Sequence, residues 1–225
     1  MEEINQDKAK AAGYRISPAV IKRLPRYFRY LRELKEAGRM RISSGELSKM
    51  MNVTASQIRQ DLNCFGGFGQ QGYGYNVEQL QNEIGTILGV QNGFKTILFG
   101  CGNLGRAIAS HMTFEDRGFE LVGLFDSNAD KMKDIRIKGL SVYPVEDLEV
   151  YCKEVEPKVA VLCVPTEAAP AIVERLVNLG ITNFWNFSHY DIASNYPGVT
   201  VENVHLNDSL MTLSYQIMNR EEQAD

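Results

Sequence analysis

The chain has 225 residues, 44% of them hydrophobic, and a formal net charge of −4. That is room for one large domain or two small ones, with enough apolar mass for packed cores. No apolar run is long enough to span a membrane, residues 1–10 are polar, and Cys64, Cys101, Cys152 and Cys163 lack C-x-x-C spacing. The expectation is therefore a cytoplasmic protein with free thiols, without a signal peptide, a transmembrane helix, a zinc framework or a disulfide scaffold.

Charge is divided unevenly. Residues 1–76 hold 13 Lys+Arg and 7 Asp+Glu, a net of +6, and residues 77–225 hold 11 and 21, a net of −10. A basic third joined to an acidic remainder predicts two domains with different partners.

Residues 1–16 read as a loose polar arm. Ser17-Pro18 opens a helix to about Ala37, with Ile21, Leu24, Phe28, Leu31 and Leu34 at helical spacing. Pro25 inside that pattern is expected to kink or divide it, and Gly38 ends it. After the extended Arg41-Ile42, the capping box Ser43-x-x-Glu46 starts a helix over Ser44–Met51 with Leu47 and Met50 inward. Asn52-Val53 is the turn. A second capping box, Thr54-x-x-Gln57, starts a helix over Ala55–Phe65 that buries Ile58 and Leu62 and exposes Ser56, Gln57, Arg59 and Gln60. Two short helices around a tight turn make a helix-turn-helix, and small hydrogen-bonding side chains at the start of its second helix suit base edges in a major groove. The glycine- and tyrosine-rich run 65–77, with Gly72-Tyr73 placed for a minor groove, predicts a hairpin, so the unit reads as a winged helix that binds nucleic acid.

A helix over Val77–Leu88 and a linker Gly89–Gly93 lead into the second half. Thr96-Ile97-Leu98-Phe99 reads as a strand, Gly100-Cys101-Gly102-Asn103-Leu104-Gly105 as a G-x-G-x-x-G turn, and Phe119–Asp126 as a second strand with an acidic tip. This is the dinucleotide-binding pattern. Gly100 allows the sharp turn, Gly102 lets a pyrophosphate approach backbone, and Gly105 lets the helix pack on the strands. Asp126, 21 residues past Gly105, stands where an acid takes the ribose hydroxyls. Cys101 reads as a small residue that fits the turn; the alternative is a thiol whose pKa the helix N-terminus lowers.

Beyond Asp126 the α/β pattern continues. Residues 127–139 form a polar connection with room for one helical turn, followed by a strand over Leu140–Tyr143 and a helix from Pro144 to Val155. The apolar strand Val159–Val164 leads to a helix over Glu167–Leu179 capped by Pro165-Thr166, then strands over Ile181–Phe187 and Val199–Val204. Cys152 and Cys163 lie in apolar surroundings and read as core. Asn207 caps an amphipathic helix over Asp208–Asn219, which packs either on a partner subunit or on its own domain. The expected boundaries are 1–91 for the winged helix, 92–206 for the nucleotide domain and 207–225 for the terminal helix.

Several motifs in order resemble the redox-sensing transcriptional repressor family Rex, over nearly the whole chain. They are Arg23-Leu24-Pro25 with Tyr27, Ser43-Ser44-x-Glu46-Leu47, Ile58-Arg59-x-Asp61-Leu62, Gly72-Tyr73-Gly74-Tyr75, Gly100-x-Gly102-Asn103-Leu104-Gly105-Arg106, Phe125-Asp126, Val164-Pro165 and Asn186-Phe187. The resemblance implies an α/β fold with an N-terminal winged helix-turn-helix, a C-terminal Rossmann domain of parallel sheet, and a terminal helix swapped between subunits of a homodimer. It implies a repressor that binds palindromic double-stranded operator DNA and is released as NADH rises, without catalytic residues or metal. NAD(H) contacts are implied for Gly100 to Gly105, Asp126, Val164 and Pro165. DNA contacts are implied for Ser43, Ser44, Thr54, Ser56, Gln57, Arg59, Gly72 and Tyr73.

The resemblance also implies an interdomain switch around Arg29, with His111 and His205 standing where the family often has tyrosine and aspartate. Two histidines there leave Arg29 without a carboxylate at position 205, so the switch uses another partner or is weaker; a pH-dependent response and two solvated or packed histidines both stay open. Gln60 replaces a usual basic residue, so one phosphate contact is missing. The alternatives are an NAD-dependent oxidoreductase and a CoA- or adenylate-binding scaffold. Only 99 residues follow Asp126, too few for a catalytic domain, and His189 is the sole candidate base. The basic N-terminal third and the wing argue against the scaffold.

Overall fold

The structure, a computed structural model, describes residues 16–65, 69–70, 74–132 and 134–222. They form two compact units that part between Gln91 and Asn92. The expected N-terminal arm lies almost wholly outside the described residues, as do Gly72 and Tyr73.

In the first unit, helix α1 spans Pro18–Glu36 with Pro18 at its first turn. It runs undivided through Pro25, so of the expected kink or division the division does not occur. Pro25 and Ile21 both lie on the exposed face, so water can take the Ile21 carbonyl that loses its N–H partner. The buried stripe is Val20, Leu24, Tyr27, Leu31 and Leu34. Helices α2 (Ser44–Met51) and α3 (Ala55–Asn63) meet around Asn52, which takes the left-handed conformation with φ of 52°. The Ser43/Glu46 capping box forms in both directions, whereas Thr54 caps α3 through the Gln57 amide alone. The inward residue at the end of α2 is Met51, and the expected Met50 is exposed. Strands β1 (Arg41–Ile42), β2 (Gly69–Gln70) and β3 (Gly74–Asn76) form an antiparallel sheet in the order β1-β3-β2. Helix α4 (Val77–Leu88) packs on α1 and closes the core.

One buried charge ties α1 to α3. Asp61 is fully buried and accepts four hydrogen bonds, from Arg23 Nε at 2.7 Å, Arg23 Nη2 at 2.8 Å, Tyr27 Oη at 2.9 Å and Gln57 Nε2 at 2.8 Å. That fills the acceptor capacity of a carboxylate. Burial pushes the Asp61 carboxyl up, and the bonds from Arg23, Gln57 and Tyr27 more than offset it, so the net shift is downward. The same burial and the Asp61 bond hold the Tyr27 proton well above the usual phenol range.

The second unit is a seven-stranded sheet in the order β10-β9-β8-β4-β5-β7-β6. Its strands are β4 (Phe94–Phe99), β5 (Phe119–Asp126), β6 (Arg136–Ile137), β7 (Leu140–Pro144), β8 (Val159–Leu162), β9 (Asn183–Asn186) and β10 (Thr200–Asn203). All pairings are parallel except β6 with β7, a hairpin hidden in the polar connection. Alternate residues feed two cores, which explains the unbroken apolar runs of β4 and β8. Ile97, Phe99, Ala160 and Leu162 pack under helices α6 (Leu148–Val155), α7 (Ala169–Asn178) and the short α8 (Ile192–Asn195). Leu98 and Val161 pack on the opposite face with α5 (Asn103–His111). Pro165-Thr166 does not cap α7, whose N-cap residue is Ala168.

Helix α9 spans Leu206–Glu222 and begins before Asn207, which therefore does not cap it. Its apolar residues face solvent, with Leu210 at 64% and Tyr215 at 66% exposure. The α5 face of the sheet carries an open groove of about 780 Å³ lined by Met112, Phe114, Phe119, Val161 and Trp185, with Arg117, Lys158 and Glu202 also along it.

Replacing Asp61 by Asn leaves the Arg23 guanidinium without its counter-charge. It is expected to cost about 3 kcal/mol at pH 7 in chemical denaturation. Because the folded carboxyl titrates below its ordinary range, the stability it supplies is present above that range and fades as pH falls through the lowered value. The variant should thus lose less stability than the native protein between pH 5 and pH 3; equal acid sensitivity contradicts the assignment.

Candidate nucleic-acid interface and nucleotide cleft

In the first unit the exposed end of the helix-turn-helix presents Ser56, Arg59 and Gln60. Arg59 Nη1 donates to Ser44 Oγ at 3.1 Å, so α3 and α2 bring these two expected DNA residues together. Ser43 and Thr54 have hydroxyls committed to capping, accepting the Glu46 and Gln57 amides at 3.1 Å each. Gln57 is half-buried, and its amide nitrogen is held by Asp61. Arg29 is exposed and lies over the Tyr30 ring at 5.3 Å. Asp61 was legible only as part of a motif. The signal for its role is spacing: it lies one helical turn past Gln57, and Arg23 and Tyr27 lie one turn apart on α1.

In the second unit the cleft forms at the C-terminal end of β4, where β5 leaves to one side and β8 lies on the other. This is the switch point at which open parallel sheets bind ligands. Gly100 turns with φ of 89°, and a Cβ there would meet the Cys163 carbonyl oxygen at 2.5 Å. A Cβ on Gly105 would collide with the Gly100 carbonyl oxygen. A Cβ on Gly102 would meet nothing within 4 Å. Gly102 is the N-cap of α5 and offers no side-chain cap, so the first amides of Asn103, Leu104 and Gly105 are free of intrahelical partners. Free amides at a helix N-terminus beside open space fit a pyrophosphate.

Asp126 Oδ2 accepts the Cys101 N–H at 2.7 Å, and Oδ1 accepts the Asn128 N–H at 2.8 Å. The acid is thereby fixed beside the glycine turn. Val164 packs against Gly100, and Pro165 is exposed at the end of β8. Cys101 is a small buried residue of the turn, as its ordinary reading has it, and not an activated thiol. Burial, then the nearby Asp126 charge, push its thiol up to about 12, and Cys163 is likewise pushed up to about 12 by burial.

His111 ends α5 and is exposed. His205 stands against a histidine not assigned to the switch: the His189 and His205 rings are 5.3 Å apart and nearly perpendicular. His205 Nδ1 also lies 3.7 Å from Asp208 Oδ2, so a carboxylate is present one turn beyond position 205. Among the described residues no cluster of His, Cys, Asp and Glu can hold a metal ion.

Together the two units define a class: a winged helix-turn-helix joined to a Rossmann nucleotide domain. Comparison with known proteins agrees in both halves. Residues 15–63 match the family described as putative DNA-binding protein N-terminus, and residues 91–190 match the CoA binding domain. The redox-sensing transcriptional repressor Rex of Clostridium perfringens (strain SM101 / Type A) is 50% identical over 201 residues, 89% of this chain and 93% of that protein. A crystal structure of RSP, in complex with beta-NAD+ and operator DNA, is 48% identical over 94% of this chain and 96% of that one, with a TM-score of 0.83. RSP in complex with beta-NADH is 46% identical, covers 94% and 98%, and gives a TM-score of 0.84. The chain belongs to the redox-sensing transcriptional repressor family Rex. That family consists of regulators, which sets aside the oxidoreductase alternative.

The thiols give a direct check on the cleft. At pH 8 a disulfide reagent should modify the exposed Cys64 first, while Cys101, Cys152 and Cys163 wait for unfolding. Cys64→Ser should abolish the fast phase. A fast phase that survives, mapped to Cys101, contradicts the buried turn.

Proposed function

We propose that this protein represses transcription by binding palindromic operator DNA through α3, that its Rossmann unit holds NAD(H), and that a rise in NADH releases the DNA. The observation that carries the reading is one chain in which a helix-turn-helix with Ser56 and Arg59 exposed accompanies a glycine turn, free α5 amides and Asp126. Arg59 and Ser56 meet base edges or phosphates, and Ser44 steadies Arg59. Gly100 to Gly105 take the pyrophosphate. Asp126 takes the adenosine ribose and disfavours a 2′-phosphate. Val164 and Pro165 border the other half of the dinucleotide. Bound NAD(H) supplies redox information, not a reaction.

The operator's two-fold symmetry calls for two copies of α3, so the protein acts as a homodimer. Support comes from the solvent-facing apolar side chains of α9 and the open groove beside Trp185, surfaces that a second copy would cover. Such a repressor works where DNA and the NADH pool meet, in the cytoplasm. Among the described residues no helix is long and apolar enough to cross a membrane.

A mobility shift with a palindromic operator tests the reading. Low NADH should release the DNA while NAD+ at the same concentration does not, and Arg59→Ala should weaken operator binding by about 1–3 kcal/mol. Operator binding that ignores NADH at saturating concentration contradicts it.

A further inference from the structure

Helix α3 is tied down at both edges. Its buried stripe is Ile58, Asp61 and Leu62, and its exposed arc holds Ser56, Arg59 and Gln60. At about 100° per residue, Arg59 stands at one edge of that arc and the half-buried Gln57 at the other. Arg59 is tied to α2 through Ser44 at 3.1 Å. Gln57 is tied through Nε2 to Asp61, one turn further on, at 2.8 Å.

The two ties differ in kind. A serine hydroxyl rotates and can donate or accept, so it imposes little on its partner. Asp61 has no such freedom. Each of its oxygens accepts two bonds: Oδ1 from Arg23 Nη2 and Gln57 Nε2, Oδ2 from Arg23 Nε and Tyr27 Oη. Burial raises the carboxyl's pKa, and the bonds from Arg23, Gln57 and Tyr27 lower it by more, so Asp61 is ionised at neutral pH and can only accept. An amide turned over would set Gln57 Oε1 against Asp61 Oδ1, acceptor against acceptor, with no proton between them. The Gln57 amide therefore has one orientation. Repulsion between Oε1 and Oδ1 also selects, for the bond to Asp61, the N–H that points away from Oε1. That leaves an acceptor and a donor side by side on the outer edge of the amide, and among the described residues Oε1 accepts no bond.

We propose that Asp61, which is fully buried and beyond the reach of any base, sets the base that α3 prefers: it holds the Gln57 amide with an acceptor beside a donor, the pattern that adenine matches with its N6–H and N7 in the major groove. Gln57 makes the contact, and Asp61 is a positioning residue. The inference rests on the reading of α3 as the operator-binding helix. A purely structural Asp61 would support binding to every sequence alike, whereas this one acts at a single base pair in each half-site.

The test is fluorescence anisotropy of the full-length protein with a palindromic duplex that the native protein selects from a random library, and with duplexes in which each symmetric A·T pair in turn is replaced by G·C. Replacing one particular pair should weaken binding by the native protein about tenfold. Gln57→Ala should remove the penalty at that pair alone. Asp61 is tested with Arg23→Gln/Asp61→Asn, which removes both buried charges and leaves neither uncompensated. This double variant should cut the penalty at the same pair to about threefold or less and keep the penalties elsewhere. An intact penalty at that pair, an equal loss at every pair, or a Gln57→Ala variant with unaltered discrimination overturns the proposal. A second measurement needs no change at Asp61. In 15N spectra of the native protein, a Gln57 side-chain N–H, identified by its loss in Gln57→Ala, should exchange with water more slowly than those of the exposed Gln60; equal rates overturn the tie and the proposal with it. If the native protein enriches no duplex, the operator-binding reading itself fails.

Discussion

The close approach of α5 to the end of β4 is the constraint on which the nucleotide unit depends. Gly105 sits so near the Gly100 carbonyl that no side chain fits between them, and Leu98 packs beneath. That contact aims the first turn of α5 across the strand end, where its free amides meet the cleft. It also leaves Gly102 facing open space and sets the Cys101 amide on Asp126. The fixed parts of the site, anion cradle and ribose acid alike, follow from one helix pressed against one turn. The same compaction buries Cys101 beside a carboxylate, and both effects push its thiol upward, against the helix N-terminus.

Much of this was legible from sequence because the cues were local. Capping pairs marked α2 and α3 within a residue or two, and continuous apolar runs marked β4 and β8 as strands covered on both sides. The glycine spacing and Asp126 placed the cleft. What failed depended on three-dimensional context. Pro25 falls on an exposed face, so helix α1 tolerates it. Met51 takes the inward place assigned to Met50, because it lies one full turn past the buried Leu47 on the same face of α2. Asp61 looked like a polar helix residue until Arg23, Tyr27 and Gln57 converged on it from two helices. His189 and His205 are 16 positions apart in sequence and meet only because β9 and β10 are parallel neighbours. Gln57 was assigned to DNA from its position near the start of α3; its amide nitrogen is also bound inward, to Asp61.

The division of charge takes on meaning against this fold. The basic unit exposes Arg59 on α3, bonded to Ser44 at the start of α2. The acidic unit has the uncapped first amides of α5 beside the Asp126 carboxylate. Neither needs a catalytic group, since the output is an equilibrium. A nucleotide shifts that equilibrium only by its differential affinity for DNA-bound and DNA-free protein. NAD+ and NADH are chemically identical at the pyrophosphate and riboses and differ at the nicotinamide ring, so a differential affinity has to originate from that ring.

The central claim is that NADH and operator DNA oppose each other through one free-energy coupling. Such a coupling must be reciprocal. The most direct test is the NADH Kd measured with and without saturating operator DNA, beside the operator Kd measured with and without saturating NADH. Equal factors of weakening, on the order of tenfold or more, are predicted. An NADH affinity that operator DNA leaves unchanged would contradict the account.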